Sequence, residues 1–257
     1  MGLVKTIFLN EQDMHTGNLI LVNRRYGYQE PEENSLIPVW SGEPAVLLQR
    51  RAAVLLFNLM EEIHGFDSIA AVSGFRSHRE QEDIWDDSTK ENGKEFTEKF
   101  VALPGHSEHQ TGLAIDLGLK QETIDFICPE FPYTGICQVF RKKASEYGFI
   151  ERYPSGKEDV TGIGHEPWHF RYVGIPHAGI MAEKELTLEE YILFIKKFPY
   201  GIKTYCSVSG NRGIEVSYLK ANEKGCTEVR IDEKRPYCIS GNNTDGFIIT
   251  QWREKDE

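Results

Sequence analysis

The sequence predicts an α+β fold, with a small antiparallel sheet flanked by helices and a C-terminal subdomain rich in β-strands. Short apolar runs alternate with segments whose apolar residues recur at helical spacing. From Gly201 onward the helical segments disappear, and short β-type runs are separated by Gly, Asn and Asp turns. We therefore predict one domain at residues 1–200 and a small β-rich subdomain, of unassigned role, at residues 201–257.

The first elements follow from apolar spacing. Alternating apolar residues predict a strand at 18–23, and helical spacing predicts a helix from about residue 44 to residue 64, with Gly65 as its stop. The run DSIAAVS predicts a buried strand at 67–73.

A capping signal marks the start of the next helix. Ser77 and Glu80 form the S-x-x-E pattern of a capping box, so a helix is expected to begin near Arg79. The polar stretch DDSTKENGK, residues 86–94, is predicted to be a loop or a lid.

The remaining elements of the first domain alternate between strands and helices. Strands are predicted at 113–119, 149–153 and 169–174. Helices are predicted at 138–148, from Pro176, and from the Thr187 and Glu190 cap to just before Pro199.

Bulk composition restricts the classes of partner. The 257 residues carry 29 Lys and Arg against 40 Asp and Glu, a formal net charge of −11, which argues against sequence-independent binding to nucleic acid or to an anionic membrane. No run of about 18 apolar residues and no secretory leader is evident, so we predict no membrane span and a cytoplasmic location. Five scattered cysteines without a C-x-x-C pair indicate reduced thiols.

Two short motifs carry the chemistry, SEHQTGLAID at 107–116 and EPWHFRYVG at 166–174. They supply two imidazoles and one carboxylate, from His109, Asp116 and His169, and leave Glu166 as a spare carboxylate. Three protein ligands with a fourth position open are typical of a catalytic zinc site, and this ligand set without thiolate suits Zn²⁺. The sequence therefore predicts a single zinc site, one ion per chain, within the α+β domain.

The other histidines have a simpler interpretation. Eight histidines occur in all, and a histidine outside such a motif is usually a surface residue or a hydrogen-bonded core residue. We interpret His15, His64 and His177 in this way. Trp168 and Phe170 are interpreted mainly as packing residues, one of which could form a wall of the pocket.

These motifs, with SGFRSHREQ at 73–81 and ERYPSGKEDVTG at 151–162, resemble the VanY/VanXY-type zinc D-alanyl-D-alanine carboxypeptidases and dipeptidases. The resemblance covers roughly residues 18–174 and does not extend to the C-terminal β segment. It implies that His109, Asp116 and His169 are the zinc ligands and that Glu166 is the catalytic base.

The resemblance also implies roles for three further residues. Arg76 would contact the oxyanion or the substrate carboxylate, and Gln81 and Ser107 would help to bind the C-terminal end of the substrate. The residues around Arg76 agree, because it follows a strand and a Gly74 turn and precedes a helix, so its guanidinium can lean into a cleft. A solvated charge for Arg76 and a plain helix residue for Gln81 remain the alternatives.

The expected function is zinc-dependent hydrolysis of the D-Ala-D-Ala bond, in the free dipeptide or at the end of a peptidoglycan precursor, supporting glycopeptide resistance. The partner would be a small peptide, D-Ala-D-Ala or a muramyl peptide, and not a nucleic acid. Two alternatives stay open: an L,D-carboxypeptidase or cell-wall endolysin, and a non-catalytic binding domain that keeps the zinc fold. Glu166 argues against the binding domain, since a binder needs no base.

Overall fold

The fold is α+β, as the sequence predicts. A computed structural model describes residues 4–30, 35–40, 44–209 and 212–254. The chain divides into two compact units, Val22–Thr187 and a second unit made of Met1–Leu21 with Leu188–Glu257. The following elements are numbered in chain order.

The strands are β1 Val4–Leu9, β2 Leu36–Pro38, β3 Leu47–Gln49, β4 Ile69–Ser73, β5 Ala114–Leu119, β6 Phe149–Tyr153, β7 Glu166–Tyr172, β8 Tyr205–Ser209, β9 Arg212–Lys220, β10 Thr227–Asp232, β11 Tyr237–Gly241 and β12 Gly246–Glu254. The helices are α1 Arg50–Glu62, α2 His78–Asn92, α3 Lys94–Phe100, α4 Gly135–Ala144, α5 Glu158–Thr161, α6 His177–Lys184 and α7 Leu188–Ile195.

The unit Val22–Thr187 is built on a four-stranded antiparallel sheet with the strand order β4-β5-β7-β6. Its hydrophobic core joins this sheet to helices α1 and α4, through side chains such as Leu56, Phe140 and Phe170, all of which are fully buried. Burial of this apolar surface is the main stabilising contribution to such a layer. The predicted small antiparallel sheet flanked by helices is confirmed.

Local sequence signals set several boundaries in this unit. The Ser77 side chain accepts a hydrogen bond from the Glu80 backbone, and the Glu80 carboxylate accepts one from Ser77 N at 2.7 Å, which completes the capping box at the start of α2. Helix α1 begins only at Arg50, because residues 47–49 pair with 36–38 as a two-stranded ribbon. The predicted start near residue 44 is therefore too early.

The predicted strand at 18–23 is absent. Leu19 to Val22 are buried, but Leu19 N donates to Ser240 Oγ at 2.9 Å and Leu21 N donates to Asn242 O at 3.2 Å. The apolar alternation thus reflects burial of an irregular segment in which the Leu19 and Leu21 amides are hydrogen-bonded without a strand ladder.

The predicted loop or lid at residues 86–94 is mainly helical. Helix α2 continues to Asn92, Gly93 adopts a φ of 83°, and α3 starts at Lys94. Ser88 Oγ and Thr97 Oγ1 join the two helices by a buried hydrogen bond of 2.9 Å. The stretch is polar because most of both helices faces solvent, and not because the chain lacks secondary structure.

The second unit contains a four-stranded antiparallel sheet, with the order β11-β12-β9-β8, and the two-stranded pair β1-β10. This unit differs from the predicted 201–257 subdomain because it also includes the first 21 residues and α7. Strand β1 pairs with β10 from Val4 opposite Asp232 to Leu9 opposite Thr227. That pairing spans more than 200 residues of sequence, which no local pattern reports.

The structure bears on two expectations drawn from composition, reduced cysteines and no membrane span. None of the five cysteines forms a disulfide; Cys137 is buried, whereas Cys206 and Cys226 are exposed. Over the parts of the chain that are described, no helix has both the length and the apolar character needed to cross a bilayer.

Candidate metal centre and catalytic cleft

Sheet register places two of the predicted ligands side by side. Asp116 in β5 lies directly opposite His169 in β7, so both side chains project from the same face of the sheet. Asp116 Oδ1 is 3.0 Å from His169 Nδ1, and both residues are buried.

The third predicted ligand, His109, comes from a single turn of 3-10 helix before β5. Its Nδ1 lies 2.7 Å from the carbonyl oxygen of Gly74, a contact that requires Nδ1 to carry the proton. The Nε2 lone pair is then left to face Asp116 Oδ2, which is 3.1 Å away. Gly112 ends the turn with a left-handed φ of 66°, and a Cβ there would lie 2.7 Å from Leu36 Cδ2, so this position favours a glycine.

These three side chains form a group that fits a metal ion. Their candidate ligand atoms all lie within 4.8 Å of one another, and this is the one such group of three or more residues in the described parts of the chain. Burial, together with the neighbouring Arg76 charge, lowers the pKa of His109 to about 4, so this imidazole is neutral and able to bind a cation. For Asp116, burial would raise the pKa, but the adjacent imidazoles hold it far below its usual range.

Glu166 joins the site because β7 pairs irregularly with β6. Residues three apart on a regular strand point to opposite faces. Here Glu151 pairs with Phe170 and Tyr153 pairs with Glu166, so β7 advances by four residues where β6 advances by two. As a result, Glu166 Oε2 lies 3.5 Å from His169 Nδ1, on the same side of the sheet.

The carboxyl of Glu166 is in an unusual environment. Burial raises its pKa to about 8, with the Asp116 carboxylate adding to the rise and the His169 charge opposing it. A nearby cation would lower this pKa towards neutrality, which is the range that suits a general base. Glu166 is outside the three-residue ligand group, as predicted for a base.

Arg76 leans into the same cleft. Its Nε donates to Ser73 Oγ at 2.8 Å, and its Nη2 donates to Asp116 Oδ2 at 2.9 Å. Its guanidinium carbon lies 5.2 Å from the ring centre of Phe126, within cation–π distance. The guanidinium is therefore oriented from three sides, and the alternative of a solvated loop charge is wrong.

The two remaining predicted residues differ in position. Ser107 lines the cleft and is buried. Gln81 is fully buried but is not among the lining residues; its amide donates to the carbonyl oxygen of Ala102 at 2.8 Å, and Ala102 does line the cleft. Gln81 thus supports a wall of the cleft in this structure.

Further walls come from Trp168, one of the two aromatic residues expected to reach the pocket, and from residues that no sequence pattern indicated. Trp168 lines the cleft, whereas Phe170 packs edge-to-face against Phe131 and Phe140 in the core. The other lining residues outside the predicted set are Phe100, Val101, Ala102, Glu108, Ile127, Tyr153 and Ile163. Only Glu108 had a local signal, a carboxylate directly beside a ligand histidine.

This chain is similar in sequence to proteins of one enzyme family. The family model described as VanY, D-alanyl-D-alanine carboxypeptidase, matches residues 46–175. The bifunctional D-Ala-D-Ala dipeptidase and carboxypeptidase VanXYC of Enterococcus gallinarum is 45% identical over 177 residues, which cover 67% of this chain and 92% of that protein. A D-alanyl-D-alanine carboxypeptidase of Enterococcus faecium is 32% identical, covering 94% of this chain and 77% of the relative.

Solved structures extend the likeness to the whole chain. The D,D-dipeptidase VanXYg, crystallised with a D-Ala-D-Ala phosphinate analogue, has a TM-score of 0.95 and 49% identity, covering 98% of this chain and 100% of that one. A VanY D,D-pentapeptidase mutant in complex with Zn(II) has a TM-score of 0.56 and 30% identity, covering 68% and 98%. The LdcB LD-carboxypeptidase has a TM-score of 0.60 and 33% identity, covering 75% and 94%.

Proposed function

Because the chain belongs to the VanY family of D-alanyl-D-alanine carboxypeptidases, we propose that it hydrolyses the D-Ala-D-Ala bond of the free dipeptide, of peptidoglycan precursors that end in it, or of both. The observation that carries this proposal is the ligand group His109, Asp116 and His169 with Glu166 beside it on the same face of the sheet.

The three ligands would hold one Zn²⁺ per chain. When bound, the ion supplies Lewis acidity: it lowers the pKa of a water molecule and polarises a carbonyl group. The donor set of two imidazoles and one carboxylate fits such an ion, and the Gly74 carbonyl already orients one of the imidazoles.

The chain's own groups supply the remaining chemistry. Glu166 would take the proton of the attacking water and later deliver it to the leaving amine. Arg76 would offer its guanidinium to the developing oxyanion or to the terminal carboxylate of the substrate. Ser107 would contact the C-terminal end of the substrate directly, and Gln81 would act there through the Ala102 wall.

Three further assignments belong to the same proposal. The catalytic groups all lie between Arg76 and His169, so the activity belongs to the 1–200 part of the chain, and the 201–257 segment supplies no catalytic group. We place the enzyme in the cytoplasm, where removal of D-Ala-D-Ala would support glycopeptide (vancomycin) resistance. The net charge of −11 favours a small peptide and not a nucleic acid as the partner.

The L,D-carboxypeptidase alternative is less well supported. The LD-carboxypeptidase LdcB aligns over 75% of this chain with a TM-score of 0.60, against 98% and 0.95 for the D,D-dipeptidase. An endolysin usually carries a basic or wall-binding module, and the segment from Gly201 has equal numbers of basic and acidic residues. A non-catalytic binding domain would have no need of Glu166 in the cleft.

Metal analysis tests the site directly. We expect purified active protein to contain about one zinc per chain and to lose activity when a chelator removes it, with recovery on adding zinc back. His109→Ala, which removes one ligand, should lose both metal and activity. Active protein without any bound transition metal would show the metal assignment to be wrong.

A parallel substrate panel tests the reaction. We expect kcat/KM to be highest for D-Ala-D-Ala or a pentapeptide ending in it, and lower by at least about tenfold for D-Ala-D-Ser and D-Ala-D-lactate. A pocket fitted to a methyl group meets the extra hydroxyl of D-Ser unfavourably, and the lactate ester lacks an amide donor. Equal rates on D-Ala-D-Ala and D-Ala-D-Ser would remove the resistance role and leave the peptidase activity. Preference for a tetrapeptide would favour the L,D-carboxypeptidase.

A further inference from the structure

A buried carboxylate lies behind one of the metal ligands. The Glu108 side chain has no solvent exposure, and its Oε2 is 3.7 Å from Nε2 of His169, the ring nitrogen on the far side from Asp116. Both atoms are buried, and neither has a hydrogen-bond partner among the residues that the structure describes. The two groups are therefore a donor and an acceptor that face each other just beyond hydrogen-bond distance.

Two arginines keep this carboxylate in place. Arg152 Nε lies 2.8 Å from Glu108 Oε1, and Arg171 Nη1 lies 2.9 Å from the same oxygen; both arginine side chains are completely buried. Two guanidinium groups at these distances stabilise the negative charge of the carboxylate in the buried site. Oε1 is thus occupied by the arginines, and the ionised group presents Oε2 to the imidazole.

The orientation of His169 explains what such a carboxylate does. Its Nδ1 faces the other metal-site carboxylates, 3.0 Å from Asp116 Oδ1 and 3.5 Å from Glu166 Oε2, so Nδ1 is the nitrogen on the metal side. An imidazole that binds a metal through Nδ1 must carry its remaining proton on Nε2. An acceptor at that position fixes both the tautomer and the plane of the ring.

We propose that Glu108, anchored by Arg152 and Arg171, is the positioning residue for His169 and sets its affinity for the metal by accepting the Nε2 proton. The Gly74 carbonyl has the equivalent contact with His109, so each ligand imidazole has its own acceptor. This inference rests on the metal site proposed above. If Glu108 and the two arginines formed only a structural ion cluster, replacing Glu108 would lower the stability of the fold and leave the affinity of the folded protein for metal unchanged.

Glu108→Gln separates the two roles. The substitution keeps the size of the side chain, but if its amide oxygen faces the arginines, its NH₂ group faces His169 and opposes a proton on Nε2. We expect the zinc dissociation constant of the folded variant, measured by competition with a chromophoric chelator, to rise by about 10- to 100-fold. At saturating zinc most of kcat should return, because the catalytic groups are unchanged.

Glu151→Gln is the matched control. Glu151 is also a largely buried carboxylate paired with an arginine, with Oε2 2.6 Å from Arg141 Nε, but it is not among the residues that line the cleft. We expect this variant to lose stability and to keep the zinc affinity of the wild type. A folded Glu108→Gln variant with zinc affinity within threefold of the wild type would overturn the proposal, whatever its melting temperature. A wild-type protein that binds no zinc would overturn the proposed metal site instead.

A second measurement needs no variant and applies even if Glu108→Gln does not fold. In ¹⁵N-histidine NMR spectra of the zinc-loaded wild type, His169 should carry a proton on Nε2 that is hydrogen-bonded and slow to exchange, with Nδ1 as the ligand. Ligation through Nε2, or an Nε2 proton that exchanges at the rate of a free imidazole, would refute the role of Glu108.

Discussion

Glu166→Ala is expected to lower kcat/KM by about 10²- to 10⁴-fold while the protein keeps its zinc, because a positioned base typically contributes that much. The structure places this carboxylate beside the ligand group without including it. Zinc content and steady-state kinetics measured on the same preparation check the result. His109→Ala is the control that should lose metal as well. If Glu166→Ala loses its zinc, Glu166 is a ligand and the assignment of roles is wrong.

The environment of Glu166 adds a pH readout on metal-free protein. Burial raises the pKa of this group to about 8, against an ordinary value of 4.5. An acid whose pKa is raised by folding stabilises the protein fully below its unfolded pKa, and this contribution is lost as the pH rises to its folded pKa. Melting temperatures of the metal-free wild type should therefore fall relative to Glu166→Gln between about pH 4.5 and pH 8. Parallel curves over that range would contradict the buried environment of the group.

Arg76→Ala is expected to lower kcat/KM by about 10²- to 10³-fold, the loss typical of removing one oxyanion donor. Arg76→Lys should restore little of this. The guanidinium is held at the same time by Ser73 Oγ and by Asp116 Oδ2, and a flexible ammonium cannot reproduce that fixed planar geometry. Kinetics on D-Ala-D-Ala measure the effect.

Two controls make the Arg76 experiment specific. Arg79 lies three residues away, in the first turn of α2, but is exposed, so Arg79→Ala should keep activity within about twofold of the wild type. Because Arg76 also contacts Asp116, zinc content must be determined for each Arg76 variant. Activity at the wild-type level in Arg76→Lys would mean that a point charge suffices and that the planar geometry has no role.

The predicted metal-centre residues have local signals in the sequence. His109 and Asp116 lie on either side of one glycine turn, and Glu166 and His169 lie in one strand, so each motif is short. The capping box of Ser77 and Glu80 is local in the same sense. Each pattern depends on the residue types at a few neighbouring positions. It can therefore be recognised in the sequence without knowledge of the rest of the fold.

Features that depend on distant contacts were missed or misassigned. Residues 18–23 have the apolar alternation of a strand, but they form isolated hydrogen bonds to residues near 240 instead of a ladder. Strand β1 pairs with β10, which lies near the other end of the chain. Residues 86–94 are mainly helical, and they are nevertheless polar because the two exposed helices bury only a few side chains, among them Ser88 and Thr97. No periodicity within a short window carries this information.

The sequence by itself predicted which residues would hold the metal and which carboxylate would act beside them, because those residue types occur at fixed short spacings. Only the tertiary structure decided how they are oriented. The irregular β6–β7 pairing turns Glu166 and His169 to one face, the Gly74 carbonyl orients His109, and the buried arginines hold Glu108 behind His169. Each of these contacts joins segments far apart in sequence, and a buried charge or imidazole proton is stabilised only where folding brings its partner within a few ångströms.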